Sequence, residues 1–156
     1  KAAEDCVKEW CNYKEVPFTI FRFYNVIGTE GFQPTNPDGL MSKLLEAKDK
    51  GEFTIYGNDY DVSTDGTCVR DYVHVMEICE ALKPSIEQPS NQIECLGHGV
   101  GYTVKEMVNL FQRVNDVDFS IKYGPRREGD LPSSVLEDVS PYMKSIYTME
   151  DLLKIK

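Results

Sequence analysis

A chain of 156 residues and 17.8 kDa, 41% hydrophobic and 11% aromatic, has the size of one ordinary domain and enough apolar content for a core without metal or disulfide staples. Seventeen Lys and Arg against 26 Asp and Glu leave a net charge of −9, which disfavours nucleic acid and anionic membranes as partners. No stretch reaches the roughly 18–20 apolar residues of a membrane span, and acidic residues in Lys1–Trp10 stand where a signal peptide would be apolar, so a soluble chain is expected.

Ala3, Cys6, Val7, Trp10 and Cys11 recur at helical spacing and predict an amphipathic helix over Ala2–Tyr13, closed before Pro17. Because the chain reads as entering this helix in its middle at Lys1, which is not Met, a native start upstream is expected. Phe18–Tyr24 is β-branched and aromatic and predicts a strand covered on both faces. Gly28–Gly39 reads as a long functional loop, followed by a helix over Leu40–Lys48. Phe53–Tyr56 predicts a short strand ending in the Gly57-Asn58-Asp59 turn, and a polar loop through Gly66 leads to strand-like Cys68–Arg70. Val75–Ile86 has helical periodicity, and Ile93–Leu96 reads as a strand. Thr103 and Glu106 form a capping box for a helix to about Val114. Val117–Tyr123 alternates like a strand, while Ser140-Pro141 and Thr148–Asp151 read as late helix starts. Alternating helices and strands imply an α/β layout. Five cysteines (Cys6, Cys11, Cys68, Cys79, Cys95), odd in number, without C-x-x-C spacing and within apolar patterns, predict free thiols in a reducing compartment.

The glycines of Leu96-Gly97-His98-Gly99-Val100-Gly101, with Asp118 about twenty residues on, approach a dinucleotide fingerprint. Tyr102 occupies the third glycine position, so a structural turn is the better reading. Asp59, Asp61, Ser63 and Asp65 alternate like a calcium loop, but Thr64 and Arg70 stand where that loop needs Gly and Glu, and no metal site is expected. His74 and His98 lack ligand spacing and read as hydrogen-bonded structural residues. Arg70 and the pair Arg126-Arg127 sit at strand ends and in loops. Two such guanidinium groups in one cleft suit a diphosphate, yet spacing alone favours surface ion pairs of Arg127 with Asp130 and Arg70 with Asp71.

Five stretches, Arg22–Gly28, Tyr56–Tyr60, Asp65–Val75, Gly97–Gly101 and Pro125–Asp130, occur in an order and at separations that resemble the C-terminal half of the UDP-glucose 4-epimerase family, within the extended short-chain dehydrogenases/reductases. The resemblance covers nearly the whole chain, and Tyr56–Val75 is its most specific part. It implies an incomplete Rossmann-type α/β protein: residues 1–28 as the last helix and strand region of an NAD-binding domain, 29–156 as mostly a UDP-sugar-binding lobe. The implied activity is UDP-glucose/UDP-galactose epimerisation, in which NAD takes a hydride from C4 and returns it to the other face. The resemblance places Asn25 on the UDP-sugar and Tyr24 against the nicotinamide. It assigns diphosphate contacts to Gly39 and Leu40, uracil to Thr54, Ile55 and Tyr56, diphosphate to Arg70 and Arg127, and ribose to Asp130. It further implies a cytoplasmic protein, a homodimer when complete, whose partner regions include an N-terminal half not present in this chain.

Departures from the family pattern accompany it. Gly39 stands where Asn is usual. Ser134 occupies a position that varies between tyrosine and smaller residues, and the small residue implies acceptance of N-acetylated sugars. The segment from Ser140 to Lys156 is short and lacks a customary tryptophan stretch. The family's catalytic Tyr-x-x-x-Lys is absent as a pair; Lys1 is the candidate for its lysine, since Ala2-Ala3-Glu4-Asp5 resembles the helix that follows, with Glu4 one residue early. Other readings compatible with these residues are a related NAD-dependent nucleotide-sugar decarboxylase or dehydratase, and an inactive or free-standing nucleotide-sugar-binding fragment.

Overall fold

A computed structural model describes residues 1–28 and 34–155, so the loop expected over Gly28–Gly39 falls outside the described residues at 29–33. Helix α1 (Ala2–Lys14) forms where expected and ends as Glu15 adopts a left-handed φ of 55°. Its apolar stripe is present, but Cys11 is its buried member; Val7 and Trp10 remain exposed. The cysteines differ in the same way. Cys11 and Cys68 are buried, whereas Cys6 and Cys79 are exposed despite their apolar sequence surroundings, and all five are free thiols.

The strand expected over Phe18–Tyr24 forms over its middle, Ile20–Phe23, and a second strand that was not expected follows just beyond Tyr24. β1 (Ile20–Phe23) runs parallel to β5 (Ile93–Leu96), from Ile20 opposite Ile93 to Phe23 opposite Leu96. Tyr24 N still donates to Leu96 O at 3.0 Å; then β2 (Asn25–Ile27) joins β4 (Val69–His74), with Asn25 opposite Tyr72. Coverage on both faces is not found, because Arg22 and Phe23 of β1 stay exposed beside a single pairing neighbour among the described residues. Tyr24 and Asn25 therefore sit where the chain leaves one sheet for another, and divergence of strands at such a point opens a crevice.

β4 is longer than the expected Cys68–Arg70 and has neighbours at both ends. Its first residues pair antiparallel with β6 (Gly101–Thr103) and parallel with β8 (Ser133–Ser134), which places Arg70 between Tyr102 and Ser134. Helix α3 (Val75–Glu87) follows at once, capped by His74: Met76 N donates to His74 Nδ1 and His74 N to Glu77 Oε2. Helix α4 (Val104–Asn115) carries the capping box expected from Thr103 and Glu106. Val117 N closes α4 by donating to Gln112 O, which is why β7 begins at Ser120 (Ser120–Gly124) and not at Val117. Helix α5 (Met149–Leu153) starts at Thr148 as expected. The other expected start, Ser140-Pro141, gives a turn instead: Met143 N donates to Ser140 O, and the Ser140 hydroxyl is drawn to Glu94 Oε2 at 2.9 Å.

One core lies under the cleft. Leu44 of α2 (Leu40–Lys50), Ile55 of β3 (Glu52–Tyr56), Phe111 of α4 and Leu152 of α5 are almost wholly buried together. Each such side chain contributes about 1.5–3 kcal/mol of hydrophobic stabilisation. This packing holds the parallel pair β3–β7, with Tyr56 opposite Gly124, against α2. A second cluster of Val73, Ile78, Ala81, Leu96 and Met143 ties β4 and α3 to β5. Among the described residues no helix is long and apolar enough to cross a membrane.

Candidate functional site

Three carboxylates organise the loops around β4. Asp71 is buried and accepts backbone N–H groups from His98 at 2.9 Å, Gly99 at 2.8 Å and Leu136 at 3.3 Å. Glu77 is buried and accepts from the amides of His74, Ile146 and Tyr147, with His98 Nε2 at 2.8 Å. Burial pushes its pKa up, but those amides and His98 outweigh it and hold the group below its ordinary value. Asp65 receives Thr67 N, Thr67 Oγ1, Thr103 Oγ1 and Ser63 Oγ, which likewise overcome burial and lower its pKa. Both histidines are hydrogen-bonded within the fold, as expected: His98 binds Glu77, and His74 Nδ1 accepts from Met76 N while its ring stacks on Tyr147 at 3.9 Å.

Neighbouring residues on a strand face opposite sides. With Asp71 turned into the protein, Arg70 turns to a cleft of about 940 Å³ lined by β2, α2, β3 and the loop after β7. Its Nη1 donates to Val69 O at 2.8 Å and its Nη2 lies 3.6 Å from Asp130 Oδ1. Arg127 lies over the Tyr56 ring, 4.0 Å from the centroid. Neither ion pair that spacing favoured forms, since Asp71 is taken by amides and Asp130 faces Arg70. Cys68 and Tyr72 also line this end of the cleft; burial raises both pKa values, so they stay neutral near pH 7 and Arg70, Arg127 and Asp130 set its charge.

Tyr24, Asn25, Gly39, Leu40, Thr54, Ile55, Tyr56, Arg70, Arg127 and Asp130 all line this one cleft. Burial raises the Tyr24 pKa first, with Cys95, Asp71 and Glu137 adding to it, so its phenol is neutral at neutral pH. Asn25 Nδ2 donates to Asp71 O at 3.1 Å, which fixes its amide plane. Gly39 is the N-cap of α2 without a side-chain cap, and no acidic residue stands in the first turn, so the helix end presents amide N–H groups to an anion. Two expected site residues lie elsewhere. Ser134 is in β8 beside Arg70 but is not part of the cleft lining, and Lys1 is exposed at the N-cap of α1. Asn36 is a lining residue that sequence reasoning missed: its Oδ1 accepts from Asp38 N at 3.0 Å, and its Nδ2 lies 3.6 Å from where a Cβ on Gly39 would be. An amide thus stands close to the position where an asparagine was expected.

The glycine-rich loop does not fit a dinucleotide. The His98 and Gly99 amides that would face a pyrophosphate already donate to Asp71, and a Cβ on Gly97 would meet Asp71 Oδ2 at 2.6 Å. It is the structural turn that Tyr102 suggested.

A profile of the NAD dependent epimerase/dehydratase family matches residues 1–95. The chain belongs to that family. It is 34% identical over 144 residues to the UDP-glucose 4-epimerase of Rhizobium meliloti (strain 1021), which covers 85% of this chain and 43% of that one. To UDP-glucose 4-epimerase 4 of Oryza sativa subsp. japonica it is 33% identical over 142 residues, 83% of this chain and 38% of that one. The crystal structure of UDP-glucose 4-epimerase with UDP-glucose from Thermotoga maritima superimposes with a TM-score of 0.82 at 25% identity, over 97% of this chain and 48% of that one. The fold is therefore the Rossmann-like mixed α/β fold of the extended short-chain dehydrogenases/reductases. This member of the epimerase/dehydratase family spans less than half the length of these relatives.

Proposed function

We propose that this chain is the UDP-sugar-binding, C-terminal part of an NAD-dependent UDP-glucose 4-epimerase. The observation that carries the reading is the convergence of Arg70, Arg127, Asp130, Asn25 and the edge of β3 on one cleft that also receives the α2 N-terminus. Two guanidinium groups and uncapped helix amides suit a diphosphate, Asp130 suits a ribose hydroxyl, and the edge of Thr54–Tyr56 away from β7, unpaired among the described residues, suits the uracil. Asn25 offers an amide to the sugar at the strand divergence. Tyr24 is the residue here that fits the nicotinamide face, and the dinucleotide loop and the catalytic tyrosine belong to the other part of the protein. NAD, when bound against Tyr24, would supply the hydride chemistry at C4 of the sugar. Residues 1–28, with β5 paired to β1, complete the cofactor-binding sheet; the remainder forms most of the sugar lobe. The exposed α1 face supports a homodimer of the whole protein, and five free thiols support a reducing cytoplasmic setting.

The test is conversion of UDP-galactose to UDP-glucose by the whole protein carrying this chain, with NAD. Arg127→Ala or Arg70→Ala is expected to raise KM for UDP-galactose at least tenfold, because each removes a charge-assisted contact of about 1.5–3 kcal/mol. Variants with unchanged KM would remove the assignment of this cleft. Ser134 stands outside the cleft lining but next to Arg70 across the β4–β8 pairing, so in the same assay the longer side chain of Ser134→Tyr is expected to lose UDP-N-acetylgalactosamine while retaining UDP-galactose; equal exclusion by both forms would sink the role given to Ser134.

A further inference from the structure

The loop bearing Arg127 is gripped from behind by Arg126, a residue outside the cleft lining. Arg126 Nε donates to Asp59 Oδ1 at 2.7 Å, and its Nη2 donates to the Asp59 carbonyl. The same guanidinium lies over the Tyr60 ring, 4.1 Å from its centroid. Tyr60 is 3% exposed and its hydroxyl has no hydrogen-bond partner among the described residues, so the ring is fixed by packing and acts as a platform. Arg127 reaches instead to Tyr56, on the near side of the Gly57 turn, whose N–H donates to Gly124 O at 2.9 Å. Consecutive arginines thus clamp two tyrosines on either side of one turn.

As an exposed ion pair, Arg126–Asp59 adds little to stability. A planar fork that both stacks and makes two hydrogen bonds fixes direction, which a simple charge does not. We propose that Arg126 is a positioning residue that aims the Arg127 guanidinium across Tyr56 into the cleft, so that an incoming diphosphate meets a cation already oriented. The consequence for ligand rests on the UDP reading of the cleft; the placement of Arg127 does not.

The experiment uses the whole protein carrying this chain, with ¹³C,¹⁵N-labelled arginine, and assigns Arg127 by loss of its signals in Arg127→Lys. In the wild type the Arg127 side-chain protons are expected upfield, within the ring current of Tyr56. Arg126→Ala should abolish that shift, and Arg126→Lys should recover only part of it. UDP titration should show about tenfold weaker binding for Arg126→Ala, and no further loss when the substitution is added to Arg127→Ala, the non-additivity of two residues acting through one. Unchanged Arg127 resonances in Arg126→Ala overturn the proposal, as does an equal loss of UDP affinity in the Arg127→Ala background. A wild type that shows the upfield shift yet binds no UDP refutes the UDP reading, while loss of the shift in Arg126→Ala still supports the positioning role.

Discussion

A carboxylate removed from water needs partners for its charge, and here backbone amides supply them. Glu77 bridges the start of α3, the His98 loop and the Ile146-Tyr147 segment, so one acid ties together three places distant in sequence. Its folded pKa lies below the ordinary 4.5. Its contribution is therefore fully present above that value and is lost as pH falls through the lower folded pKa. Glu77→Gln should lower stability at pH 7 by about 2–3 kcal/mol, the size of hydrogen bonds to a charged group. It should also lose less than the wild type as pH falls below 4.5, because one titrating group has gone, while Asp65, lowered in the same direction, keeps part of the acid dependence. Urea denaturation at several pH values checks both statements; an acid limb as steep in Glu77→Gln as in the wild type would contradict them. At this scale the sequence showed which residues carry charge but not where it points. Arg70 and Asp71 look like a pair in a string of letters and cannot be one on a strand that sends them to opposite sides.

Elements depend on turns that few residues can make. Between β3 and β4 the loop closes through Tyr60 N to Gly66 O at 2.9 Å, and Gly66 has φ +74° with room for no Cβ, since one would lie 2.1 Å from Asn58 O. Gly51, at the end of α2, has φ +76° but open space around it. Alanine at either position meets a left-handed backbone cost of about 1 kcal/mol, and only Gly66→Ala adds a backbone clash. We expect Gly66→Ala to lose at least about 2 kcal/mol more than Gly51→Ala in thermal or urea unfolding, and equal losses would show that the loop yields freely. Helix positions were legible because caps and periodicity are local: Thr103 with Glu106 and Thr148 with Asp151 each start a helix where read. The cap on α3 was not, since histidine is an uncommon capping residue and its role needs Glu77. Strand breaks were hidden for a different reason. The run Phe18–Tyr24 is apolar but for Thr19 and Arg22, and nothing local says that β1, inside it, pairs with β5 while β2, just beyond it, pairs with β4. The cleft was legible through the ordered motifs, whereas Asn36 was missed because its place beside Gly39 is set by a turn.

Across the whole molecule apolar surface is unevenly covered. The core beneath the cleft is closed, yet α1 exposes Val7 at 45%, Trp10 at 57% and Tyr13 at 79%. These three recur at intervals of three residues, so they lie along one side of the helix. Arg22 pairs with Glu4 and fixes α1 to β1, so this face is presented by a helix that is itself anchored. A patch holding a tryptophan and a tyrosine on a rigid helix has the composition of an interface centre, where such residues dominate the binding energy. If two copies of the whole protein meet there, the contact is isologous, each Trp10 entering the interface once from either side, and a single substitution acts on it twice. Trp10→Glu should then convert a dimer in sedimentation to a monomer at micromolar concentration. It should leave UDP affinity unchanged, because α1 lies outside the cleft. A dimer that survives Trp10→Glu would place the subunit contact elsewhere, and a lost dimer together with lost UDP binding would mean that α1 supports the fold of the cleft and not only the contact between copies.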